Sequence, residues 1–80
     1  MTYSVYILRS EHDGTFYTGM TKNVERRIAE HNAGKMKYTS GHRPWKLVYF
    51  EQCCSREKAR IQEKYWKSGE GRKERDRKFC

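Results

Sequence analysis

The apolar and polar positions of this 80-residue chain fall into short blocks, some alternating with period two and others recurring at helical spacing. Tyr3 to Arg9 is rich in β-branched and aromatic residues and too short for a lone helix, which predicts a strand. Successive strand side chains point to opposite faces, so Tyr3, Val5 and Ile7 share one side and Ser4, Tyr6 and Leu8 the other. Asp13-Gly14 is a turn signal, and Thr15 to Met20 reads as a second strand, giving an antiparallel hairpin.

Asn23 is placed to cap a helix, Glu25 lies in its first turn where the helix dipole favours an anion, and Gly34 is a natural stop. Val24, Arg27, Ile28 and His31 form one stripe of that helix, so a cation and an imidazole border its buried face. Residues 35–44 read as a loop, after which Trp45 to Glu51 is a third strand with Pro44 just before it. Ser55 caps a second helix running to about Ser68. Gly69 and Gly71 are expected to break it before a basic tail over residues 70–80 that has room for a short helix. On the second helix Ala59, Gln62, Glu63 and Trp66 share a row, which sets Glu63 beside apolar neighbours. The order β-β-α-β-α predicts an α/β sandwich of the α+β kind, a three-stranded antiparallel sheet packed with helices, as one domain over residues 1–80.

Composition narrows the class. Hydrophobic residues are only 35% of the chain, near the limit at which burial offsets ordering entropy, but aromatics make up 14% and supply large buried areas. No apolar run is long enough for a membrane span and no signal segment is evident, so the expectation is a mature chain starting at Met1 and remaining in the cytoplasm. Cys53, Cys54 and Cys80 lack metal-ligand spacing and read as reduced thiols; a Cys53-Cys54 disulfide or a Cys80-linked dimer is the minor alternative. The sequence leaves the oligomeric state open, a monomer included.

Lys and Arg total 18 against 10 Asp and Glu, a net charge of +8. From Arg56 onward there are ten basic and five acidic side chains, so this segment carries +5 of that charge. Such a surface favours polyanions, although a mixed Lys/Glu helix also serves solubility. Lys37, Tyr38, Thr39, His42 and Arg43 form a basic loop whose ring suits stacking on a splayed base, and the C-terminal charge would track a backbone.

Val5-Tyr6-Ile7-Leu8, Tyr17-Thr18-Gly19, Arg27 with His31, Pro44 with Leu47-Val48-Tyr49, and Ala59 with Glu63 and Lys67 together form an ordered pattern. It resembles the GIY-YIG endonuclease superfamily, in particular its small single-domain bacterial members, which are similar to the N-terminal cutting domain of the excision-repair nuclease C subunit. The resemblance spans about Tyr3 to Lys67. It implies that Tyr6 and Tyr17 are the two motif tyrosines, Arg27 the catalytic arginine, His31 its neighbour one turn later and Glu63 the metal-binding glutamate. Ser4-Val5 stands for Gly-Ile in the first motif and Thr18 for Ile in the second. Met20 occupies a position where some members carry lysine, which passes that phosphate contact to Lys22 or Lys35.

These residue types suit phosphodiester hydrolysis, which needs an activated water and neutralisation of charge on the phosphoryl and leaving oxygens. Arg27 offers a permanently charged fork for two phosphate oxygens, and Glu63 a hard ligand for Mg²⁺ or Mn²⁺. The general base is Tyr6, Tyr17 or His31. Solution pKa favours His31, whereas the resemblance favours a tyrosine; the preferred reading is Tyr6 assisted by His31, with Tyr17 orienting water or phosphate. The expected partner is nucleic acid, DNA before RNA, contacted by Lys22, Lys35, Lys37, Tyr38, Arg43 and Lys67, in a repair or recombination setting. Two rival readings are a module of the same fold that binds nucleic acid without cutting, and a small adaptor docking on an acidic protein.

Overall fold

A nearly continuous apolar stretch in the first strand demands cover on both sides, and the fold is built to provide it. The computed structural model describes residues 2–79. Its elements are β1 (Tyr3–Ser10), β2 (Phe16–Thr21), α1 (Val24–Asn32), a 3₁₀ turn at Ser40–His42, β3 (Trp45–Cys53), α2 (Arg56–Lys67) and α3 (Gly69–Phe79). The strands form one antiparallel sheet in the order β2-β1-β3, so the first strand is central and both later strands are edges. Val5, Tyr6, Ile7 and Leu8 are each at most 2% exposed.

The two faces of β1 gather separate cores. Val5 and Ile7 pack with Ala59 and Trp66 of α2, joined by Tyr49 and by Phe79 of α3. Tyr6 and Leu8 pack with Trp45, Tyr17 and Leu47 and with Val24 and Ile28 of α1. Helices therefore cover opposite faces, and each fully buried apolar side chain contributes about 1.5–3 kcal/mol. The register slips between Ile7 and Leu8, whose partners are Tyr49 and Leu47. Val48 is the extra residue, and this bulge lets adjacent β3 residues serve both cores.

Local signals act as the sequence suggests. The Asn23 side chain accepts a hydrogen bond from the Arg26 amide at 3.0 Å, and Ser55 accepts one from that of Lys58 at 3.2 Å. Gly34 stands just beyond α1 at φ +79°, a conformation a side chain would resist. Ser10, fully buried, accepts from the His12 and Asp13 amides at 3.1 Å each and donates to the His42 carbonyl at 2.6 Å, tying the hairpin turn to the loop before β3. Asp13 also receives His42 Nδ1 at 2.5 Å, a contact that holds its carboxyl below the usual range.

The C-terminal tail is where structure and expectation differ. The strand β3 continues two residues past Glu51, and residues 69–79 form an eleven-residue helix with Gly69 and Gly71 in its first turn. The break falls at Ser68, which is extended at ψ 169° and whose hydroxyl accepts from the Gly71 amide at 3.3 Å. Gly71 is buried because α3 crosses close to the end of α2: a Cβ there would lie 2.0 Å from the Tyr65 carbonyl oxygen. Gly71 permits a close helix-helix contact, and both glycines lie inside α3 instead of ending a helix. Phe79 then completes the cover over Tyr49 and Trp66, with ring centroids 5.4 and 6.1 Å away. Cys53 and Cys54 carry free thiols, and Cys80 lies outside the described residues. No helix among the described residues is long and apolar enough to cross a membrane.

Substituting Gly71→Ala must push α3 away from α2. We expect a loss of about 1–3 kcal/mol, the usual cost of an overpacked contact, read as a lower midpoint in thermal or urea unfolding. Gly69→Ala, which meets nothing within 4 Å, serves as the control.

Candidate active site

Tyr6 points to the α1 face directly opposite Gly19, its cross-strand partner on β2. The missing side chain at Gly19 makes room for the phenol: a Cβ there would stand 2.6 Å from the Tyr6 hydroxyl. The hydroxyl thus passes over β2 toward the sheet edge. There it meets His31, from the last turn of α1, with 3.0 Å between Oη and Nε2. His31 is 1% exposed, and its Nδ1 lies 2.8 Å from Thr39 Oγ1, which in turn lies 3.4 Å from the Met36 carbonyl.

That last contact orders the chain of protons. The carbonyl only accepts, so the Thr39 hydroxyl donates to it and accepts from Nδ1–H. Nε2 is then the unprotonated nitrogen, facing the Tyr6 O–H. Burial, followed by the Arg27 charge, pushes the His31 pKa below its ordinary value, which keeps the imidazole neutral. Burial and then the neighbouring Tyr17 phenol push Tyr6 above the ordinary phenol range, while Arg27 acts in the opposite sense. The Tyr17 ring lies 4.9 Å from that of His31 and 6.3 Å from that of Tyr6.

On the same edge a cleft of about 470 Å³ opens between α1 and α2, lined by Arg27 and Glu63 among others. Lys22, Arg26, Arg27, Arg56 and Arg60 face Glu30 and Glu63 there, five cations against two carboxylates. Glu30 holds the guanidinium of Arg27 at 3.4 Å and that of Arg26 at 3.4 Å. Among the described residues Glu63 is paired only with Lys67, at 3.2 Å, and that ammonium is more than half exposed. Arg27 and Glu63 both act on the charge state of Tyr6, so the strand and the two helices converge on one neighbourhood.

Residues 2–76 match the family model described as the GIY-YIG catalytic domain. The chain belongs to the GIY-YIG family. A UPF0213 protein of Staphylococcus haemolyticus is 54% identical over 56 residues, 69% of this chain and 67% of that relative. One from Syntrophus aciditrophicus is 55% identical over 53 residues, 64% of this chain and 60% of its own. The solution NMR structure of a UPF0213 protein from Bacillus halodurans superposes with a TM-score of 0.56 at 40% identity, covering 92% of this chain and 81% of that one. The chain spans from about half to about two thirds of the first curated relatives it matches.

The candidate site residues fall as follows. Tyr6, Tyr17 and His31 form one aromatic cluster, with Arg27 and Glu63 in the adjoining cleft. Lys22 lines that cleft, 5.5 Å from the Tyr3 ring, whereas Lys35 and Lys37 are exposed on the loop outside it. Arg43 is folded back, with Nε donating to the Ser40 carbonyl at 2.9 Å. Tyr38 is 64% exposed, and its ring centroid is 6.1 Å from that of Tyr17. Sequence reasoning missed Thr39 as a partner of His31, because nothing distinguishes one threonine in a polar loop. Glu30 was legible from its spacing of three after Arg27, and Arg56 and Arg60 from the helical row that ends on Glu63.

Among the described residues no three His, Cys, Asp or Glu side chains cluster to form a complete metal cage. Glu63 nevertheless suits a hydrated divalent ion, which takes one or two carboxylates and fills its shell with water and substrate oxygens. Its carboxylate lines that cleft and, among the described residues, pairs with the half-exposed Lys67 ammonium alone.

The depressed His31 pKa makes a prediction for stability. Between its lowered native value and the ordinary value near 6.5, the unfolded chain binds more protons than the native one. Stability contributed by the neutral imidazole is therefore present above about pH 6.5 and is lost as pH falls through that window. Urea unfolding from pH 7.5 to 5 should show this decline, with a shallower dependence for His31→Gln.

Proposed function

We propose that this chain is an endonuclease that hydrolyses phosphodiester bonds in DNA with the help of Mg²⁺ or Mn²⁺ held by Glu63. What carries the reading is the convergence of an arginine, an open carboxylate and a phenol joined to a neutral imidazole on one sheet edge. Nucleic acid is the partner that the five-to-two excess of cations in the cleft favours.

In this reading Tyr6 takes a proton from the attacking water as its own hydroxyl proton moves to His31 Nε2. The Nδ1–H bond to Thr39 holds the imidazole in the accepting tautomer. The transfer is coupled because a free phenolate is costly at this buried position. Arg27, steadied by Glu30, supplies the fork that takes charge building on the phosphoryl oxygens. Tyr17, its ring beside both, orients the water or the phosphate. A divalent ion at Glu63 would supply Lewis-acid neutralisation of oxygen charge. Cytoplasmic repair or recombination is the setting this chemistry serves.

The same burial of Tyr6, 2% exposed with its pKa raised, favours a second reading in which the domain grips nucleic acid without cutting. Incubation of plasmid or branched DNA with Mn²⁺ separates the two. The wild type should nick, and Glu63→Gln and Arg27→Ala should each lose about 10²-fold or more. Equal nicking by all three would mean a contaminant, and a retained gel shift without any nicking would select the binding module. Because the base must be neutral, the rate should fall as pH drops through the His31 value, placing the acid limb below pH 6.5.

A further inference from the structure

Three concavities follow the edge strand β2 in the order of its residues. The cleft described above borders Met20, Thr21 and Lys22. A hollow of about 190 Å³ borders Tyr17 and Thr18 and includes Tyr38, Lys67, Arg72 and Arg75. A shallower one of about 510 Å³ borders Gly14 and Thr15, with Arg72, Arg75 and Asp76 opposite. The last two share Phe16, Arg72 and Arg75, so α3 lines the far half of the edge as α2 lines the near half.

The charges at the far end are poorly compensated. Among the described residues Arg9 and Arg72 enter no ion pair, and Arg75 pairs only with adjacent Asp76, at 2.9 Å. Arg75 stacks over the Phe16 ring at 4.4 Å, and Arg9 approaches the same ring at 6.0 Å. The Nε of Arg9 is buried with no hydrogen-bond partner, and its guanidinium lies against Gly14, where a Cβ would be 3.2 Å from Nη2. Three guanidiniums thus gather about one ring and one carboxylate. Stacking on Phe16 fixes the plane of Arg75, while Arg72 is exposed and free to turn. Like charges held together repel, and a surface that keeps them so is matched by an anion with several charges.

We propose that Arg72 and Arg75 of α3, backed by Arg9, form a second phosphate-contact site that grips the nucleic-acid backbone away from the scissile position. This rests on the nuclease reading for the position of the cut, but not for the grip itself. The spacing suits one continuous stretch of nucleic acid. Lys22 and Thr15 are seven residues apart on or beside β2, roughly 23 Å at about 3.3 Å per residue. That is the length of about seven base pairs of duplex at about 3.4 Å of helix axis each. Lys67 and Tyr38 lie between the two sites, offering a further phosphate contact and a ring for a base.

The test is the salt dependence of binding by the full chain to a labelled oligonucleotide, duplex and single-stranded, in EDTA so that nothing is cut. Arg72→Ala removes an exposed side chain without ion-pair partners and should leave thermal unfolding unchanged. It should weaken binding several-fold and lower the slope of log K against log salt by about 0.7 for the single strand or 0.9 for the duplex. Arg72→Lys, which keeps the charge, should restore the slope, and with Mn²⁺ Arg72→Ala should raise KM and spare kcat. Unchanged affinity and slope in Arg72→Ala, while the wild type cuts DNA, would overturn this proposal and leave the nuclease reading standing. An Arg72-dependent slope in a protein that never cuts would support the grip and remove the cutting. No salt-dependent binding to either strand form would overturn both.

Discussion

The hydrogen bond between Tyr6 and His31 is the interaction on which the rest of the site depends. Both groups are buried between the sheet and α1, where an unpaired hydroxyl or imidazole would cost about 1–3 kcal/mol, so each must satisfy the other. That requirement fixes the last turn of α1 against β1. It also fixes the direction of Arg27, one turn earlier on the same helix. Gly19 permits the contact, because any side chain on β2 opposite Tyr6 would occupy the space of the phenol. Gly19 on β2 is thus a steric complement to Tyr6 on β1.

The sheet separates stability from chemistry. One face of β1 is closed by Ala59, Trp66, Tyr49 and Phe79, an apolar and aromatic layer with no catalytic candidate in it. The other face carries Tyr6 and, one strand across, Tyr17, with His31 above them. Glu63 belongs to the helix on the first face and reaches the site only because both helices overhang the same edge strand. A three-stranded sheet has just two edges, and β2 is the one where α1 and α2 can meet. An 80-residue chain can therefore bring charges from two helices to one cleft without a second domain.

Charge follows the same geography. The cations of α1 and α2 crowd the cleft, and those of α3 continue beyond it along β2. Their carboxylate partners are few and mostly local, as with Glu30 for Arg26 and Arg27 and Asp76 for Arg75. Such pairs hold side chains in place more than they stabilise the fold, since exposed ion pairs contribute about 0–1 kcal/mol. The surplus of positive charge remains directed at solvent along one edge.

Much of this was legible in the amino-acid order. The alternation in residues 3–9 determined which side chains of β1 share a face, and Asn23, Gly34 and Ser55 marked helix ends through groups that satisfy or release backbone bonds. The family resemblance was legible by residue type and spacing, because its pattern is local to each element. What depended on the tertiary structure was everything set by contacts between distant segments. The service of Thr39 to His31, the slipped register at Val48 and the close crossing that buries Gly71 have no periodic signature. The helix α3 is the plainest case: its sequence is almost wholly charged, so its own pattern shows no face to bury. It is held by a glycine that fits against a carbonyl and by one phenylalanine that meets two aromatic rings from other elements. Short-range chemistry is written in neighbours along the chain, whereas packing between elements is decided only where their surfaces meet.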